Sequence, residues 1–199
     1  MRMAEKFHTV GIGVSEGGQR GILEFLQHVP SEPDMAFVVI HDVAYKLDEI
    51  IKKFSLVRTV AIEHDTKVEK NHLYIAPRNV FVSVNNGHFN LEQIEEGSGT
   101  IDFFLTSLAR DSGDLAVGVV LSRVGDAGLA GLAEIDKYGG TTLIQSRSSA
   151  PFAPGPLSIA ALDAVHPTLV ASPATLALYL TSFALFHEFG RPVGGYPTD

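Results

Sequence analysis

The chain has 199 residues, 45% of them hydrophobic, enough for one substantial core, and residues 1–199 are expected to form a single domain. Fifteen Lys and Arg against 23 Asp and Glu leave a net charge of −8, which works against nonspecific attraction to nucleic acid or anionic lipid, and the absence of cysteine excludes disulfides and thiolate chemistry. The start, Met1-Arg-Met-Ala-Glu-Lys6, lacks the apolar segment of a secretion signal, and no 18-residue apolar run occurs, so a soluble cytoplasmic protein without membrane insertion is expected.

In chain order, the run from His8 to Val14 is β-prone, and Ile22, Leu23 and Leu26 fall on one helical face after it. Between them stands Gly11-Ile-Gly-Val-Ser15-Glu-Gly-Gly18, a serine among glycines where strand passes to helix. Three readings of this turn are open. A G-x-S-x-G turn presents a nucleophile, with Gly13 and Gly17 allowing the sharp bend and N–H groups near Glu16 and Gly17 holding an oxyanion. A loosened dinucleotide turn, with Asp42 as ribose acid, has Glu16 where the third glycine belongs. A plain tight loop would use Ser15 only as a helix cap.

Further along, Ala36 to Ile40 has the length of a buried strand, and Leu47, Ile50, Ile51 and Phe54 recur at helical spacing. His72 to Ala76 is a short strand. Val80, Val82 and Val84 alternate toward Asn86-Gly87, and Phe89 and Leu91 alternate after it, which predicts a hairpin. Glu95 to Gly99 reads as a loop, with Thr100 as cap of a helix carrying Ile101, Phe104, Leu105 and Leu108. A strand is predicted over Leu115 to Leu121, a helix from about Asp126 to Tyr138, a strand over Thr141 to Gln145, and a last helix from Ser172-Pro173 to about Phe186. This alternation predicts a three-layer α/β/α fold, doubly wound on a mostly parallel sheet, with the hairpin inserted.

Ligands of such sheets gather beyond the carboxyl ends of the strands, where Ser15, His41 and Asp126 all fall. Together they supply a nucleophile, a general base and an orienting acid. Their order, Ser then His then Asp, is not that of α/β-hydrolases, which run Ser, Asp, His. The other histidines lack metal-ligand spacing, and neither metal nor cofactor is expected.

The stretch from about Thr9 to Leu180 resembles the catalytic domain of CheB-type chemotaxis methylesterases. The resemblance rests on Gly11 to Gly18, Phe37-Val-Val-Ile-His41, Asn71-His-Leu-Tyr-Ile-Ala-Pro77, Ile101-Asp-Phe-Phe-Leu-Thr-Ser-Leu108, Gly118-Val-Val-Leu-Ser122 and Gly139-Gly140, in that order. It implies cofactor-free removal of methyl groups from glutamate methyl esters on chemoreceptors, with deamidation of receptor glutamines in some members. It makes Ser15 the nucleophile and His41 the base. The acid departs from the pattern: where the family reads Gly-x-Gly-x-Asp-Gly, this chain reads Arg123-Val-Gly-Asp-Ala-Gly128, placing Ala127 at the aspartate position and Asp126 one residue early.

One residue of displacement at a helix start turns a side chain by about 100° and moves it about 1.5 Å along the axis. Asp126 is therefore either a displaced acid or a cap of the following helix. Glu16, next to the nucleophile, replaces a small residue; at roughly 5 Å its carboxylate opposes an oxyanion by about 3 kcal/mol at an effective dielectric of about 20. Arg123 and Val124 are placed on the site rim, where an ion pair of Arg123 with either Glu16 or Asp126 is expected. The expected partners are a methyl-accepting receptor and a receiver domain or another signalling protein; no receiver domain is read on this chain, and a monomer is expected. The alternative class is an impaired relative kept as a protein-binding module.

Overall fold

The computed structural model describes residues 6–15, 17–41, 47–93, 99–121, 126–150 and 165–187, with side chains described as far as residue 182. Seven parallel strands form the central sheet: β1 (Thr9–Val14), β2 (Ala36–His41), β3 (Arg58–Ala61), β4 (His72–Ile75), β7 (Ala116–Leu121), β8 (Thr141–Gln145) and β9 (Leu169–Ala171). Their spatial order is β3-β4-β2-β1-β7-β8-β9, so the strand order reverses direction at β1 and β7. The two strands β5 (Val80–Asn85) and β6 (His88–Gln93) form a separate antiparallel hairpin. Its turn places Asn86 at φ 51° and Gly87 at φ 72°, the doubly left-handed backbone that Asn-Gly was expected to supply.

The central strands are apolar throughout because both faces are covered. In β1, Val10, Ile12 and Val14 point to one face, where they pack with α1 (Gln19–Leu26), α2 (Leu47–Phe54) and α5 (Pro173–His187) through Ile22, Phe25, Ile51 and Leu176. On the opposite face, Val38 and Ile40 of β2 meet α3 (Thr100–Ser112), α4 (Leu129–Lys137) and the hairpin through Phe104, Leu105, Leu132 and Phe89. The helices thus lie on both sides of the sheet, in the three layers expected.

Three local expectations change. Strand β3 has no counterpart in the sequence reading, because this edge strand is half-exposed and shows no apolar alternation. Helix α4 begins at Leu129, three residues after Asp126, with Gly128 as its N-cap at φ 84°. Thr100 does not cap α3: the N-cap is Gly99, at φ 81°, and no side chain bonds there. Phe104 is fully buried, but its neighbour Phe103 is 40% exposed and lies against Phe81 of the hairpin, ring centroids 4.6 Å apart. The expected loop at Glu95 to Gly99 lies, apart from Gly99, outside the described residues.

Candidate functional site

Strand register assembles the site. Val14, the last residue of β1, pairs with His41 on one side and Leu121 on the other. Ser15 follows Val14 directly, so it stands at the strand-order reversal, between the ends of β2 and β7, with neighbouring strands spaced about 4.8 Å apart. Both side chains are withdrawn from solvent: Ser15 is 2% and His41 8% exposed. The Nδ1 atom of His41 is buried and makes no hydrogen bond among the described residues, although the residue does interact with its surroundings.

The turn after Ser15 is held by its backbone. The Gly18 N–H donates to the Ser15 carbonyl at 2.9 Å, and Gly17 has φ 85°, a conformation that L side chains rarely adopt. Helix α1 then starts at Gln19 with Gly18 as N-cap and no side-chain capping bond. Ser15 is therefore not a helix cap, which removes that reading of the motif. Among the described residues the Gly17 N–H has no acceptor, leaving a backbone donor two residues after the serine and at a helix start, a position that favours negative charge.

Gly13 has a different role from the one expected. It lies inside β1 rather than in the turn, and an added Cβ would stand 2.4 Å from Cγ2 of Ile101. What requires glycine there is the close approach of α3, whose first turn covers the sheet beside the serine.

Asp126 is exposed, and among the described residues its carboxylate makes no hydrogen bond or ion pair. Its carbonyl accepts the Leu129 N–H at 3.0 Å, but its side chain does not cap α4. That work falls to Asp102 of α3, which accepts the Gly128 N–H at 3.0 Å and the Gly131 N–H at 2.8 Å. Sequence reasoning missed this residue, since a cap supplied from another helix leaves no local spacing signal. Replacing Asp102 with alanine is expected to lower stability by about 3 kcal/mol through loss of two charge-assisted bonds, a fall in Tm on the order of 6–12 °C for a chain of this size. A thermal melt checks this, with Asp102→Asn retaining part of the loss.

Glu16, Arg123 and Val124 lie outside the described residues, as does Asp42. Among the described residues no group of three or more His, Cys, Asp or Glu is placed to hold a metal ion, and no helix is long and apolar enough to cross a membrane. The His72 Nδ1–H donates one local hydrogen bond to the Lys70 carbonyl at 2.9 Å, a structural part.

A family model described as CheB methylesterase matches residues 10–180. Among curated proteins, one named protein-glutamate methylesterase/protein-glutamine glutaminase from Thiobacillus denitrificans is 28% identical over 169 residues, covering 78% of this chain and 46% of that protein. A protein of the same name from Ralstonia nicotianae is 27% identical over 172 residues, covering 79% of this chain and 44% of its own. The chain spans about half the length of the curated relatives it matches. The crystal structure of the Thermotoga maritima CheB methylesterase catalytic domain superposes with a TM-score of 0.77 at 18% identity, over 90% of this chain and all of that one. The fold is the one that both the residue patterns and the resemblance implied.

Proposed function

The chain belongs to the CheB methylesterase family, and on that premise we propose that it is a serine hydrolase that removes methyl groups from glutamyl methyl esters of chemotaxis receptors. The observation that carries this reading is the pairing of Val14 with His41, which seats Ser15 and His41, both buried, at adjacent strand ends where the strand order reverses. The names of the Thiobacillus and Ralstonia relatives support both the ester and a glutamine amide as substrates.

In the proposed reaction the Ser15 Oγ attacks the ester carbonyl while His41 takes its proton. The tetrahedral oxyanion is held by the N–H groups of Gly17 and Glu16. Collapse breaks the bond to the methoxy oxygen, which leaves as methanol with the proton from His41. Water, deprotonated by His41, then attacks the acyl-serine and releases the glutamate carboxylate and Ser15. For a glutamine the leaving group is ammonia. Asp126 stands in for the acid from a displaced, exposed position and supplies only a part of that role. The unit is residues 1–199, working in the cytoplasm with a receptor as substrate and a receiver domain or other signalling protein as regulator.

The test is fluorophosphonate labelling of the purified chain, with mass mapping of the adduct, alongside methanol release from a peptide carrying a glutamate methyl ester. Labelling at Ser15 with methanol release is the expected result. Folded protein that neither labels nor releases methanol would remove the hydrolase. A second reading, an impaired relative acting as a binding module, is favoured by one observation: Asp126 is exposed and its carboxylate makes no hydrogen bond among the described residues.

A further inference from the structure

A cavity of about 250 Å³ lies at the carboxyl ends of β2, β4 and β3, lined among the described residues by His41, Asp48, Lys52, Ile62, Ile75 and Arg78, with others. We propose that this cavity is a substrate subsite for a second, acidic side chain of the same polypeptide that presents its esterified glutamate to Ser15. The inference rests on the hydrolase reading above and adds to it what the enzyme recognises beside the ester.

Three features support it. The first is contiguity: His41 is both a wall of the cavity and the strand-end neighbour of Ser15. The cavity lies one to three strand positions from β1, roughly 5–14 Å at strand spacing. A polypeptide covers that distance in about one to three helical turns of about 5.4 Å each, or in about two to four extended residues of about 3.3 Å each. The second is size. At about 250 Å³ the space is below that of pockets that enclose whole small ligands, roughly 300–1,000 Å³, and suits a single side chain.

The third is charge. The chain carries a net −8, yet among the described residues lining this cavity Lys52 and Arg78 stand with one carboxylate, Asp48; Arg78 is engaged in an interaction of its own, so the cation that matters here is Lys52. Lys52 stands one turn after Asp48 on α2, but the two form no ion pair within 4 Å, and Lys52 makes none with any described residue. A cation held at the rim of a pocket with an apolar floor, Ile62 and Ile75, selects a partner with a short apolar stem and an anionic end, which describes glutamate or aspartate.

The experiment uses the full chain and two synthetic peptides, each with one glutamate methyl ester, flanked in one by glutamates and in the other by glutamines. Binding is measured by fluorescence anisotropy on the Ser15→Ala protein, so that turnover does not enter. The Glu-flanked peptide is expected to bind about threefold to tenfold more tightly, a preference that fades in roughly 0.5 M salt because the contact is partly exposed. Lys52→Gln, added to Ser15→Ala, is expected to remove most of that preference, while Lys53→Gln, the same change of charge one residue along and outside the cavity, leaves it. Equal affinity for the two peptides, a preference untouched by Lys52→Gln, or binding of neither peptide would overturn the proposal. Methanol release by the unsubstituted chain reports separately on the hydrolase: acid preference without release keeps the subsite and discards the reaction, whereas release without preference does the reverse.

Discussion

Replacing Ser15 with alanine is expected to abolish fluorophosphonate labelling and to lower methyl ester hydrolysis by about 10⁴-fold or more, because no other group can then form the acyl intermediate. The substitution should leave the protein folded. The turn after β1 is held by the backbone bond from the Gly18 N–H to the Ser15 carbonyl and by the left-handed Gly17, and neither uses the serine side chain. Val14 keeps its partners in β2 and β7 in either case. A circular dichroism melt beside the labelling gel separates loss of chemistry from loss of fold. Labelling that persists in the Ser15→Ala protein would place the nucleophile elsewhere and take the strand-end argument with it. The size of the effect also bears on the oxyanion donor: a residual rate above that in water would come from the Gly17 N–H and from binding alone.

The layers of this fold are legible in the sequence because burial on both faces writes itself into uninterrupted apolar runs, as in Ala36 to Ile40 and Val117 to Leu121. The hairpin is legible for a different reason, since Asn86-Gly87 accepts the two positive φ values that its turn demands. Strand β3 is not, because at an exposed edge Arg58, Thr59 and Val60 need satisfy only one neighbour. For the candidate site, chain position predicts that Ser15 and His41, each the first polar residue at the end of an apolar run, come to neighbouring strand ends, and the register of β1 with β2 places them there. The part of Gly13 could not be read that way: local spacing suggested a bend, whereas its reason is Ile101, 88 positions later. Asp102 and Lys52 were missed on similar grounds. Asp102 bonds the α4 amides and Lys52 shares a cavity wall with Ile75 and Arg78, in each case residues distant in sequence that only the folded chain makes neighbours.

Changing Ala127 to aspartate is expected to raise the rate of fluorophosphonate labelling at Ser15 by about 10²-fold or more, and Asp126→Ala to lower it by less than about 10-fold. The structure gives the two positions unlike surroundings. Asp126 is exposed, whereas Ala127 is half-buried and adjoins Gly128, the buried N-cap of a helix that packs on the sheet through Leu129 and Leu132. A carboxylate at 127 would therefore start from a half-buried place beside Gly128, which lies against Val120 of β7 and Ile101 of α3. It would also be half-desolvated, a cost that a hydrogen bond from the imidazole must offset. An acid in that position fixes the histidine tautomer and stabilises the imidazolium formed as Ser15 attacks, contributions together worth about 10⁴ in turnover where a triad is complete. A gain much smaller than that ceiling would mean that Asp126 already supplies part of the effect from its displaced position, and the loss in Asp126→Ala should then grow to match. No gain in Ala127→Asp, together with no loss in Asp126→Ala, would leave Ser15 and His41 acting as a pair and locate the limit on the rate in the turn itself rather than in the missing acid.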